Sequence, residues 1–144
     1  MSFIVFLFML PFLSEKPSTK VMACHLEHSN SGDDLLQIAG KAIVLPELNP
    51  GAEIKSCKQI QGLMDVWSVE VEMGTDSDKI LSHINLFLVN TRGPKAVQLY
   101  QRSLYEKRKA DGMELKFKYK LKSPTKNQLV VEFEGESPQT IKLQ

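Results

Sequence analysis

Two cysteines and three histidines are the residues of this 144-residue chain best suited to bind a transition metal. Cys24, His25 and His28 lie close together, and zinc and copper sites use such ligands. No second closely spaced Cys/His pair exists, however, and on a strand His25 would point away from its two neighbours. We therefore expect a Cys24–Cys57 disulfide and no metal site if the chain is secreted. If translation starts at Met22, both thiols are expected to stay reduced.

Charge is segregated along the chain, although the formal net charge is only +1. Between Arg92 and Lys126 there are eleven basic and three acidic residues, a net charge of +8, and the rest of the chain carries −7. A basic region of this kind is typical of proteins that bind a polyanion. The candidate binding residues are Arg102, Lys107, Arg108, Lys109, Lys116, Lys118, Lys120 and Lys122.

The partner predicted from this region is a macromolecule such as a sulfated glycan, another polyanion or a protein; we do not expect nucleic acid. A structural alternative concerns the strand lysines, because a short turn joins them to a run that carries Glu132, Glu134 and Glu136. An antiparallel hairpin that keeps both apolar faces inward needs paired residue numbers with an even sum. Cross-strand ion pairs would then neutralise much of the lysine row, leaving the 107–109 cluster as the better contact.

The chain carries no recognisable catalytic motif: it has no nucleophile elbow, phosphate-binding loop or dinucleotide fingerprint. His83 follows Ser82, but neighbours on a strand point to opposite faces. Asp76 and Asp78 are better explained as a helix cap than as an acid–base pair. We expect no catalytic residues and no cofactor, and therefore not an enzyme.

Alternation of apolar and polar residues, the mark of half-buried strands, dominates the chain after its first twenty residues. It is clearest from Met113 to Leu121, where five apolar residues alternate with Glu114 and three lysines. Similar runs predict strands at 66–73 and 129–136, and weaker ones at 21–28 and 140–143. Leu36, Ile38, Ala42 and Val44 are expected to share one face.

One helix is predicted at 94–110, because Pro94 suits a first helical position, Gly112 lies just past the end and helix-favouring residues fill the interior. We also expect a short helical turn from Thr75 leading into a strand, and a long loop over 46–64. The predicted fold is a β-rich α+β domain, a mostly antiparallel sheet with one packed helix. An all-β two-sheet sandwich is the alternative.

Residues Ser2 to Leu13 form an uncharged apolar run that is too short to span a membrane, which takes about 20 residues. The run suits the hydrophobic region of a signal peptide, so residues 1–20 are assigned to a leader and 21–144 to a single domain. Secretion follows from this assignment. The alternative is a cytoplasmic protein that starts at Met22.

These observations favour a secreted, non-enzymatic binding protein that uses the basic region 92–126. A second hypothesis is a small carrier of lipids or other apolar ligands, because Trp67, Phe117, Tyr119 and Phe133 would either pack a core or line a cavity. A third is a cytosolic interaction module that begins at Met22. The sequence does not indicate an oligomeric state.

Overall fold

A computed structural model describes residues 23–28, 34–45, 48, 51–73 and 80–143 of the chain. The predicted leader and the predicted helical turn at Thr75 lie outside these residues. Within them the backbone forms strands and no helix. The strands are β1 (Cys24–His28), β2 (Asp34–Ile38), β3 (Lys41–Leu45), β4 (Glu53–Ile60), β5 (Leu63–Glu72), β6 (Ile80–Asn90), β7 (Val97–Arg108), β8 (Glu114–Lys116), β9 (Tyr119–Thr125), β10 (Gln128–Phe133) and β11 (Gln139–Lys142).

The strands form three antiparallel sheets. The first sheet has the order β1-β2-β3, the central sheet β4-β5-β6-β7-β8, and the second sheet β11-β10-β9. Within each sheet, neighbouring strands are consecutive in the sequence. Ala39 and Gly40 both have positive φ in the turn from β2 to β3, as a tight two-residue hairpin requires.

The central sheet is buried on both faces. Val69 and Phe87 are paired across β5 and β6 and pack with Leu36 of the first sheet. Leu86 points to the opposite face and packs with Leu129 of the second sheet. Burial on both faces explains why β6 contains the continuous apolar run from Leu86 to Val89. Each fully buried side chain of this size stabilises the fold by roughly 1.5–3 kcal/mol. Because β6 contributes such side chains to both cores, it connects all three layers.

The predicted helix at 94–110 is wrong: this stretch is β7, which pairs with β6 on one side and β8 on the other. Its residues favour a helix in isolation, but tertiary pairing overrides propensity. Leu104 of β7 is buried against the second sheet. The predicted α+β fold is therefore wrong, and the described residues have the all-β fold that was the alternative. They form three sheets instead of two.

Two strand boundaries also differ from the prediction. The expected loop over 46–64 contains β4 and the start of β5. It has no clear alternation because β4 is an edge strand with several exposed polar side chains. The expected single strand from Met113 to Leu121 is divided between β8 and β9, which belong to different sheets.

The hairpin register and the disulfide are confirmed. Tyr119 pairs with Phe133 and Lys120 with Glu132, so the residue numbers of each pair have an even sum. Cys24 and Cys57 form a disulfide with a Cα–Cα distance of 6.1 Å. It joins β1 to β4 and so ties the first sheet to the edge of the central sheet.

Within the described ranges, no helix is long and apolar enough to cross a membrane.

Candidate functional site

A cleft of about 950 Å³ lies between the central sheet and the β9–β10 hairpin of the second sheet. This volume is near the upper end of the range for small-ligand sites, which is about 300–1,000 Å³. Apolar and aromatic side chains line much of it, and charged side chains complete the lining. The lining residues include Glu70, Ile84, Leu104, Tyr105, Phe117 and Tyr119.

One wall of the cleft is the two-residue link between β8 and β9. The Phe117 amide still donates to the Leu104 carbonyl of β7, at 2.9 Å, whereas the Lys118 carbonyl already accepts from the Glu134 amide, at 3.0 Å. The chain therefore leaves the central sheet and joins the second sheet at this point. The Phe117 side chain is left 38% exposed at the cleft, although alternation predicted it to face inward with its neighbours.

The floor of the cleft depends on an irregularity in β7. Ile84 pairs with Tyr105, but the next residue of β6, Asn85, pairs with Ser103, so Leu104 is an extra residue. A β-bulge of this kind redirects side chains locally. Leu104 and Tyr105 both line the cleft as a result. The Tyr105 hydroxyl also donates to Glu114, at 3.1 Å, which fixes the ring beside β8.

Glu70 of β5 brings a carboxylate into this cleft. The side chain is half-buried, and Oε2 accepts a hydrogen bond of 2.7 Å from the Tyr119 hydroxyl. Burial, followed by the nearby Glu70 carboxylate, raises the pKa of Tyr119, so the phenol stays protonated and keeps donating. This contact joins β5 of the central sheet to β9 of the second.

Arg102 lies against two aromatic rings of the cleft lining, those of Phe117 and Phe133. Its guanidinium lies over the Phe133 ring at 3.8 Å and over the Phe117 ring at 5.4 Å. Both terminal nitrogens donate to the Glu136 carboxylate, one at 2.7 Å. These hydrogen bonds lower the pKa of Glu136 and raise that of Arg102. Arg102 is therefore held in place by the protein itself.

The structure places the predicted basic residues on β7, β8 and β9 and on the segments between these strands. Four have an acidic partner within 4.0 Å: Arg102 with Glu136, Arg108 with Glu106, Lys116 with Glu114 and Lys122 with Glu132. Lys118 and Lys120 line the cleft with Lys116, and Lys120 lies opposite Glu132 in the hairpin. Lys107 is in β7 beside the exposed Lys109 of the β7–β8 turn.

The cysteine and histidine positions offer no metal site in the part of the chain described. Both sulfurs are in the disulfide, and His28 hydrogen-bonds Asp34 at 2.8 Å. No group of three or more His, Cys, Asp or Glu side chains in the described residues is placed to hold a metal ion.

A contact that the sequence did not suggest joins His83 to Ser103 across β6 and β7, at 3.1 Å. A serine activated by histidine usually needs a third group to orient the imidazole. Among the described residues, no carboxylate is hydrogen-bonded to His83. The pair therefore resembles a cross-strand structural contact more than a nucleophile and its base.

Sequence reasoning missed five residues of the cleft: Glu70, Ile84, Leu104, Tyr105 and Pro138. In the sequence, Glu70 stands out only as one of the polar residues that alternate with apolar residues over 66–73. Comparison of the chain with protein-family models, curated proteins and solved structures finds no match. The cleft therefore has to be interpreted from its own chemistry, which combines aromatic and aliphatic side chains with a half-buried carboxylate.

Proposed function

We propose that this protein is a secreted, non-enzymatic binding protein that holds a small, largely apolar ligand in the cleft between the central and second sheets. The observation that carries the proposal is the cleft volume of about 950 Å³ together with its aromatic and aliphatic lining. Ligand sites are typically concave and mostly apolar, with a few polar groups that orient the ligand. In this cleft, aromatic and aliphatic side chains make up half of the lining residues, and charged residues make up the other half.

The charge arrangement favours this proposal over a broad polyanion-binding face. Four of the eight candidate basic residues have an acidic partner within 4.0 Å. Lys120 also lies opposite Glu132 in the hairpin register, and the Glu132 carboxylate pairs with Lys122. A phosphate or sulfate chain would have to compete with these carboxylates at several positions.

Binding of N-phenyl-1-naphthylamine, a neutral fluorescent probe of apolar sites, tests the proposal. We expect saturable binding at one site per chain. Phe117→Glu replaces an aromatic ring of the cleft lining by a charged side chain and should weaken binding by roughly tenfold or more, because the probe loses apolar contact area. Met64, which is 78% exposed and outside the cleft lining, provides the control Met64→Glu. No saturable binding, or equal losses in both variants, would contradict the proposal.

A polyanion contact at 107–109 is the second candidate function. The exposure of this cluster favours it. Lys109 in the β7–β8 turn is exposed, and the side chain of Arg108, the last residue of β7, is 49% exposed. Exposed charges of one sign steer oppositely charged partners, with a strong dependence on salt. This surface is independent of the cleft.

Retention on immobilised heparin tests the second candidate. The triple variant Lys107→Glu/Arg108→Glu/Lys109→Glu should elute at clearly lower salt than the unmodified protein. Lys58→Glu, at an exposed position of β4, is the control and should elute close to the unmodified protein. If the triple variant elutes at the same salt as the control, the 107–109 cluster is not the contact surface.

Secretion is supported by the apolar run at Ser2–Leu13 and by the Cys24–Cys57 disulfide, since disulfides persist mainly in oxidising compartments. Intact mass of the protein from its native source, with thiols alkylated before any reduction, tests it. A mass that lacks the leader, without alkylation, agrees with secretion. A mass that starts at or just after Met22, with two alkylated thiols, would contradict it.

A further inference from the structure

Glu70 is the half-buried carboxylate of the cleft, and its surroundings indicate what kind of ligand the cleft favours. Its one hydrogen bond within the described residues is the 2.7 Å contact from the Tyr119 hydroxyl. That donor is neutral, because burial and Glu70 itself raise the pKa of the phenol. The negative charge of Glu70 is therefore solvated in part but not neutralised by its partner.

The other charges of the cleft are paired or exposed. Glu136 is bound by Arg102, and Glu132 accepts from Lys122 at 3.2 Å. Glu134 is exposed, as are the three lining lysines, Lys116, Lys118 and Lys120. No cationic nitrogen of the described residues lies within 4.0 Å of Glu70. The charge that a bound ligand would desolvate most is therefore negative.

A ligand that covers Glu70 has to compensate this charge. Removing a carboxylate from water without a cation or further donors is unfavourable, and an opposite charge placed beside it offsets that cost. A carboxylate ligand would add repulsion at the same point. A neutral apolar ligand would cover Glu70 and leave it with the Tyr119 hydrogen bond alone.

The aromatic lining adds to the preference for a cation. Phe117, Tyr105 and Tyr119 line the same cleft as Glu70, and Tyr119 is in contact with it. Aromatic faces attract cations, and the effect grows when the pair is shielded from water. The protein already uses this interaction, since the Arg102 guanidinium lies 3.8 Å from the centre of the Phe133 ring. A carboxylate beside aromatic rings suits a protonated amine.

We propose that the cleft ligand is a hydrophobic amine, a molecule with an apolar body and a protonated amino group, and that its ammonium pairs with the Glu70 carboxylate. This inference rests on the proposed function, because it names the ligand class for the same cleft. The apolar body would lie against Ile84, Leu104 and Phe117, and the Tyr119 hydroxyl would hold the carboxylate in position.

Three ligands that share one chain and differ in the head group test the proposal: decylammonium, 1-decanol and decanoate. Each is titrated calorimetrically at pH 7, the two ionic ligands below their micelle concentrations and 1-decanol below its solubility in water. We expect decylammonium to bind roughly tenfold tighter than 1-decanol, as expected for a partly shielded charge pair, and decanoate to bind more weakly than 1-decanol. The three-ligand comparison needs no variant, so a folding defect in a substituted chain would not affect it.

Glu70→Gln then assigns the preference to one residue. Its amide oxygen still accepts from Tyr119, so decylammonium affinity should fall to that of 1-decanol while 1-decanol binding is kept. Glu53→Gln, at an exposed position of β4 outside the cleft lining, is the matched control and should keep the preference.

The outcomes separate this inference from the proposed function. If none of the three ligands binds, the apolar cleft itself is not a ligand site. If 1-decanol binds but decylammonium binds no tighter, the cleft stands and the amine proposal fails. Tightest binding of decanoate, or equal effects of Glu70→Gln and Glu53→Gln, would also overturn the amine proposal.

Discussion

The guanidinium of Arg102 lies 3.8 Å from the centre of the Phe133 ring, so a charged side chain of the central sheet stacks on an aromatic residue of the second sheet. Glu136 binds the same guanidinium from the turn that follows β10. Arg102 therefore holds the two layers together beside the cleft, and the same contact occupies a ring face that a ligand would otherwise use.

Replacing Arg102 by lysine should destabilise the fold, because lysine keeps the charge but loses the planar, two-point contact and the stacking. We expect the free energy of unfolding to fall by about 1 kcal/mol, the usual scale of a partly exposed cation–π pair. Urea unfolding measures it. Arg108→Lys, whose side chain is 49% exposed, is the control and should change little. Equal losses in the two variants would contradict the stacking role.

Acid should weaken the contact between Arg102 and Glu136. The guanidinium lowers the pKa of Glu136 below its ordinary value of 4.5, so the unfolded chain binds this proton more readily than the folded one. The contribution to stability is present above pH 4.5 and is lost as the pH falls through the lower, folded-state pKa. Glu136→Gln should therefore reduce stability at pH 7 more than at pH 3, measured by urea unfolding. A difference that does not depend on pH would count against the ion pair.

The disulfide should contribute strongly to stability, because it links residues 33 positions apart and ties the first sheet to β4. The chain-entropy model gives about 4 kcal/mol for a loop of this length. Reduction should lower the urea midpoint of the unmodified protein, while Cys24→Ala/Cys57→Ala should unfold at the same midpoint with and without reductant. An unmodified protein that is indifferent to reductant would show that the disulfide does not support the fold.

Alkali should destabilise the contact between β5 and β9. Burial and the Glu70 carboxylate raise the pKa of Tyr119 above 10.0, so the folded chain keeps this proton where the unfolded chain has lost it. The stability from Tyr119 is fully present below pH 10.0 and is lost as the pH rises through the folded-state pKa. Lysines titrate in the same range, so the comparison is with Tyr119→Phe, whose stability should decline less above pH 10.0. Identical declines would mean that Tyr119 is not the coupled group.

Local rules predicted the β9–β10 hairpin correctly. Its apolar residues alternate on both strands, and the joining turn is short. The even sum of paired residue numbers, which places Lys120 opposite Glu132, therefore follows from the two strands alone. The same alternation failed at Leu36, Ile38, Ala42 and Val44. The chain reverses at Ala39–Gly40, so Ala42 and Val44 are exposed while Leu36 and Ile38 are buried.

The candidate cleft could not be predicted, because its residues come from strands whose neighbours depend on tertiary pairing. Leu104 and Tyr105 lie in a stretch that local propensity assigned to a helix, and the β-bulge that brings both to the cleft requires β6 as a partner. Phe117 lines the cleft because its strand changes sheets at that residue. Only the aromatic residues suggested a cavity, and their alternation fitted a packed core equally well.

The claim that the cleft is a ligand site is tested most directly by a methyl NMR titration with 1-decanol, with the isoleucine and leucine methyl groups labelled. We expect the methyl signals of Ile84 and Leu104, which line the cleft, to shift with one binding curve. Those of Leu36 and Ile38, on the other face of the central sheet, should stay unchanged. Shifts scattered over both cores, or confined to Leu36 and Ile38, would contradict the account.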